Sequence, residues 1–109
     1  MGSLPSDPPI AYVAIKANAL CLRRALALGQ PVMCGMTLYS SFGGGDAMPP
    51  VAAGERPVGA EAVLIVGYDD ARKEFTLRGP WGGYTRVGAE ALIRSASDFW
   101  QFRRQRGGG

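Results

Sequence analysis

The segment Ala62–Tyr68 constrains this chain more than any other. Val63, Leu64, Ile65 and Val66 run without a polar interruption. A short apolar run bounded by turn residues reads as a strand buried in the middle of a sheet. Asp69-Asp70-Ala71-Arg72 follows as a turn, and Lys73–Arg78 alternates so that Phe75 and Leu77 point the same way, the period of a returning strand. An antiparallel hairpin with a central first strand therefore organises the fold.

The remaining elements are read around that hairpin. From Ile10 to Leu28 the pattern is helical, with Ile15, Ala19, Leu22 and Leu26 on one face. Gly29 and Pro31 stop it, and Arg23 and Arg24 near its end suit the helix dipole. Val32–Tyr39 reads as a buried strand, Tyr84–Val87 as a short one, Ala89–Arg94 as a helical turn and Asp98–Arg103 as a last strand with Trp100 and Phe102 on one face. Between them, Phe42–Arg56 is a Gly/Pro-rich loop, and a loop of that length in a small domain is usually functional or partner-bound. Residues 1–9 are expected to be a flexible lead, 10–104 a single domain and 105–109 a Gly-rich tail. The expected class is α+β: one N-terminal helix plus a curved antiparallel sheet or half-barrel of about five strands.

Composition removes several function classes. With 109 residues the chain is one small domain, and 16 Gly with 8 Pro favour turns over long helices. Its net charge of +3, from ten Arg and two Lys against nine acids, is too small to argue for nucleic acid. There is no histidine, which excludes Ser-His and Cys-His catalysis within the chain and the zinc motif with two helical histidines. Cys21 and Cys34 both lie in apolar surroundings and read as buried free thiols. Two cysteines alone build no structural zinc site, so neither metal nor cofactor is expected. Asp69-Asp70 sits in a turn and reads as a backbone cap rather than a catalytic dyad, and the glycines around Gly43 lack the spacing of a phosphate loop. No run approaches the roughly 18 apolar residues of a membrane span and no secretory leader is visible; the expected location is cytoplasmic.

Gly59-Ala60-Glu61-Ala62-Val63-Leu64-Ile65-Val66-Gly67-Tyr68 resembles the catalytic-histidine strand of papain-like cysteine peptidases, which read Gly-His-Ala-Val-x-x-Val-Gly-Tyr there. The resemblance extends upstream through Ala25–Val32 and Tyr39-Ser40-Ser41-Phe42. Downstream it continues through Gly79-Pro80-Trp81-Gly82, where the family has Asn-Ser-Trp-Gly, then Gly83-Tyr84 and Ser97-Asp98-Phe99-Trp100. It covers about residues 10–104 and implies the barrel-side, C-terminal half of the papain fold. In that family a Cys on the helical half attacks the peptide carbonyl, a His takes its proton and an Asn orients the imidazole. Here the His slot holds Glu61 and the Asn slot Gly79, a carboxylate is a weaker base than an imidazole, and no helical half is in the sequence. Cys21 and Cys34 do not correspond to the nucleophile. The resemblance therefore implies a degenerate domain that is not an enzyme.

An isolated barrel half would expose the apolar face that meets the helical half, and small proteins rarely expose such a patch without using it. The first expectation is a non-catalytic protein-binding module, an inhibitor or accessory subunit of the kind phages and mobile elements encode. A structural subunit of a homo-oligomer or larger particle comes second, and a remnant peptidase third. Glu61, Trp81 and Phe42 are the candidate contacts of the cleft-side face. Arg103, Arg104 and Arg106 form a terminal cluster beside Phe99, Trp100 and Phe102. Basic and aromatic residues interleave in single-strand binders, but these aromatics match the family's final core strand, so the arginines read as a solvated end, with an acidic protein surface as the alternative partner. A protein partner or self-association is expected, without nucleic acid or membrane.

Overall fold

A computed structural model of the chain describes residues 10–40, 42, 45, 47–48 and 54–104. The expected lead and tail, and Arg106, lie outside the described residues. Eight elements follow in order: β1 (Ile10–Ala14), α1 (Ala19–Leu26), β2 (Val32–Tyr39), β3 (Pro57–Asp69), β4 (Glu74–Arg78), β5 (Tyr84–Gly88), α2 (Ala89–Ser95) and β6 (Ala96–Arg104). Six strands form one antiparallel sheet in the order β1-β6-β2-β3-β4-β5. The α+β class and the antiparallel sheet agree with the sequence reading, with one more strand and one more helix.

The extra strand corrects the helix expected from Ile10. Residues 10–14 pair with β6, Tyr12 opposite Phe102 and Ala14 opposite Trp100, and the helix begins only at Ala19. Asn18 decides where: its Oδ1 accepts from the Cys21 backbone N–H at 2.8 Å, satisfying a donor that the first helical turn leaves open. The short α1 ends as expected, with Gly29 at φ 89° and Pro31 beyond it. Leu22 and Ala25 are its buried face.

Both helices cover the same side of the sheet. Val32, Cys34 and Met36 of β2, Val63 and Ile65 of β3, Phe75 and Leu77 of β4, Val87 of β5 and Phe99 of β6 are buried there with Leu22 and Leu92. Because strand side chains alternate, the intervening residues point to the opposite face, and that face has no helix among the described residues. The expectation that Val63–Val66 is buried throughout fails for this reason: Val63 and Ile65 are buried, whereas Leu64 is half-buried and Val66 exposed. Register shifts at Cys34/Met36, Leu38/Tyr39 and Ile65/Gly67 add the local twist that curves the sheet.

Two polar groups anchor the core. Asp69 caps the β3–β4 turn, its Oδ1 accepting from the Ala71 and Arg72 backbone N–H groups at 3.0 and 3.1 Å, as its place in a turn predicts. Asp70 instead pairs with Arg23 at 3.0 Å on an open surface, where an ion pair adds little. Gln101, fully buried on β6, donates through Nε2 to the carbonyls of Ala25 (2.7 Å) and Gln30 (2.9 Å) and accepts from Arg103 Nε at 2.9 Å. It thereby closes the end of α1 and the α1–β2 connection against the sheet. Replacing Gln101 by Leu is expected to lower unfolding free energy by about 3 kcal/mol, because two carbonyls lose their donor; urea unfolding measures it.

Candidate functional site

All six residues from Pro57 to Ala62 are exposed, so the first half of β3 runs past the core. Glu61 lies in this stretch, opposite Met36 of β2 and two residues before the buried Val63. It continues the core-side alternation of Ile65 and Val63, but it is exposed where its register partner Met36 is buried. Gly79 follows β4 directly, just after the Leu64–Arg78 pair. With Met33, Ala62, Val63, Leu64, Arg78 and Pro80 it lines a shallow groove of about 370 Å³. The fold thus places Gly79 beside the residue that follows Glu61.

The Trp81 indole lies directly over position 79. A Cβ built on Gly79 would lie 2.5 Å from Trp81 Cζ2 and Cζ3, closer than carbon atoms approach. The indole therefore occupies the space a side chain at 79 would need. Three contacts hold it there: Trp81 Nε1 donates to Thr85 Oγ1 at 2.9 Å, Thr85 Oγ1 donates to the Gly45 carbonyl at 2.8 Å, and Phe42 meets the indole edge-on with ring centroids 5.0 Å apart. Thr85 is itself buried. Further along, Ala47 bridges Arg86 and the Met48 N–H donates to the Arg86 carbonyl at 2.8 Å. The described part of the expected Phe42–Arg56 loop is therefore stitched to β5 and to Trp81.

Two of the candidate residues, Phe42 and Trp81, come together in this way. The arginines do not join them: Arg103 sits on β6, beyond β2 from the β3–β4–β5 side, Arg104 is described as a strand position only, and Arg106 lies outside the described residues. Sequence reasoning missed a concavity of about 930 Å³ between α1, α2 and the β3–β4 turn, lined by Leu20, Arg23, Tyr39, Tyr68, Lys73 and Arg94 among others. Its walls come from segments far apart in the chain, and no local pattern announces it. Among the described residues no group of three His, Cys, Asp or Glu is placed to hold a metal, and no helix is long and apolar enough to cross a membrane.

The outer face of the sheet carries a continuous row. Ala14 pairs with Trp100, Trp100 with Met33, Met33 with Leu64, Leu64 with Arg78 and Arg78 with Tyr84. Trp100 is 42% exposed and Met33 36%, and Tyr12 packs edge-on against Phe102 beside them at 5.8 Å. Neither cysteine is in this face or in a disulfide. Cys34 is buried, as expected, but Cys21 is only half-buried.

Comparison with protein-family models and with curated proteins gives no match. Among solved structures the chain is similar to xylellain, a cysteine protease from Xylella fastidiosa, with 30% identity and a TM-score of 0.80 over 88% of this chain. The match spans 40% of that protease's length. This supports the papain-like relationship read from the motifs, and it corrects the reading that the chain is not an enzyme. The similar structure is that of a cysteine protease, and nothing in the comparison marks this chain as degenerate. Glu61 in the His slot and Gly79 in the Asn slot are the positions on which that reading rested, and the remainder of the protease's length lies outside the match.

Two measurements check this geometry. Gly79→Asn is expected to destabilise the fold by about 1–3 kcal/mol, the range for overpacking, and to shift tryptophan emission as the indole is displaced; unchanged emission and stability would contradict the packing described. Burial pushes the Cys34 thiol up from 9.0 to about 12. The unfolded chain then releases this proton first, so stability from Cys34 falls as pH rises from about 9 towards about 12. Cys34→Ala should flatten that alkaline loss relative to the parent in urea unfolding at successive pH values.

Proposed function

We propose that this chain is a polypeptide-binding lobe, the barrel-side half of a papain-like protease unit, which docks a complementary helical lobe on the outer face of its sheet. The observation that carries the reading is the cross-sheet row through Trp100, Met33 and Leu64, apolar and uncovered by either helix. Apolar surface of this extent on a small domain favours a partner, because each large side chain removed from water contributes about 1.5–3 kcal/mol. The 88% coverage by a cysteine protease, with most of that protease outside the match, supports a helical lobe as the occupant. Glu61, on the core-side alternation of the overhanging first half of β3, lies off this row. Peptide handling then belongs to the assembled unit, with this chain as accessory subunit or as one of two lobes.

The part of the Xylella fastidiosa protease outside the match, expressed separately and mixed with this chain, is expected to give a one-to-one complex in size-exclusion chromatography with light scattering. Met33→Ser with Trp100→Ser should weaken it about tenfold or more. The thermal midpoint of the free variant, expected to fall because both side chains are more than half buried within the chain, is measured alongside so that binding is compared at a temperature where the variant is folded. A homodimer of the chain alone, dissolved by the same pair of substitutions, would replace this reading by self-association. A monomer that captures nothing would defeat both.

A further inference from the structure

The buried Gln101 has a consequence on the opposite side of the sheet from the docking face. Gln101 and Arg103 share the helix-covered face of β6, opposite Val13 and Ala11 of β1. The glutamine is held by two backbone carbonyls, and its Oε1 in turn holds Arg103 Nε. Arg103 is therefore not a freely waving surface cation. One edge of its guanidinium is fixed by a group that is itself immobile, and the Nη groups meet no acceptor among the described residues.

Arg103 borders a groove of about 410 Å³ between the end of β1 and α1, whose other walls are Val13, Ile15, Leu28, Lys16 and Arg24 among others. Among the described residues three cations line it and no carboxylate does. None of the three is in an ion pair among the described residues, whereas Arg23 and Arg86 are. Leu28, at the lip, is 62% exposed. Cations gathered without counter-charges repel one another, and an oriented guanidinium has much of the entropy of binding a carboxylate already removed. Apolar walls between the charges suit a ligand that alternates acidic and apolar groups.

We propose that this groove binds an acidic polypeptide segment of a protein partner, with Arg103 taking a carboxylate on its free Nη edge, Lys16 and Arg24 flanking it, and apolar side chains of the segment lying on Val13, Ile15 and Leu28. The site lies at the β1–β6 end and on the helix side, so it is independent of the outer-face docking described above and stands or falls separately.

The probe is a capped ten-residue peptide of alternating Glu and Leu, titrated into the isotope-labelled chain and followed by NMR. Expected are shifts confined to residues 13–16, 21–28 and 103, and an affinity that falls as salt is raised. Arg103→Gln is expected to weaken binding about tenfold, the scale of a charge-assisted hydrogen bond, and Lys16→Gln with Arg24→Gln about threefold to tenfold. The double substitution touches neither Gln101 nor the core, so it decides the matter if Arg103→Gln proves unstable. Binding unaffected by the double substitution, or shifts located elsewhere, would overturn the proposal. So would equal binding of the matching Lys-Leu peptide, or tighter binding of a short single-stranded DNA in the same groove, which would assign it to nucleic acid instead.

Discussion

One-sided burial of β3 is the constraint on which the rest of the structure depends. Val63 and Ile65 are sealed against β2, β4 and the two helices, and alternation then sends Leu64 and Val66 to the other face. With two helices on one side and, among the described residues, none on the other, the sheet holds together by the apolar area of its covered face. The row from Ala14 to Tyr84 on the opposite face, apolar at Trp100, Met33 and Leu64 and charged at Arg78, follows from the same alternation, and it is the surface proposed above for a partner lobe.

Polar and aromatic stitches fasten the chain at its two ends of the sheet. Gln101 ties α1 and the α1–β2 connection to β6, and the Trp81–Thr85–Gly45 chain ties the described part of the long loop to β5. Each is a buried polar group with its partners supplied, the condition under which such groups add order rather than strain. The indole that secures the loop also fills the space beside Gly79, so a side chain there would require the ring to move.

The candidate site was legible in unequal parts. Glu61, Gly79 and Trp81 could be placed from motif order, because Gly67-Tyr68 and Trp81-Gly82 mark the ends of strands whose register then carries the rest. That Phe42 and Trp81 touch was not readable, since the contact spans the loop. Nor was the separation of Arg103 from them, because strand order inserts β6 between β1 and β2 and carries the arginine to the far side. The reading that the chain is not an enzyme is overturned by its similarity to a cysteine protease, a likeness of the whole fold that slots judged one at a time do not report.

The amino-acid sequence by itself determined the local facts: the β3–β4 hairpin with its Asp69 cap, the stop of α1 before Gly29, the bounds of β2, and an order of motifs that resembles papain-like peptidases. These depend on side-chain periodicity and on backbone preferences of neighbouring residues, which act over a few positions. Tertiary structure alone decided that residues 10–14 form a strand, since the apolar spacing there suits either state and pairing with β6 settles it. It also decided which members of the Val63–Val66 run are covered, that the Trp81 ring fills the space beside Gly79, and that Arg103 is steadied by a buried glutamine beside Lys16 and Arg24. Each of these rests on contacts between segments tens of residues apart, where the energy lies in packing and pairing that no local pattern encodes.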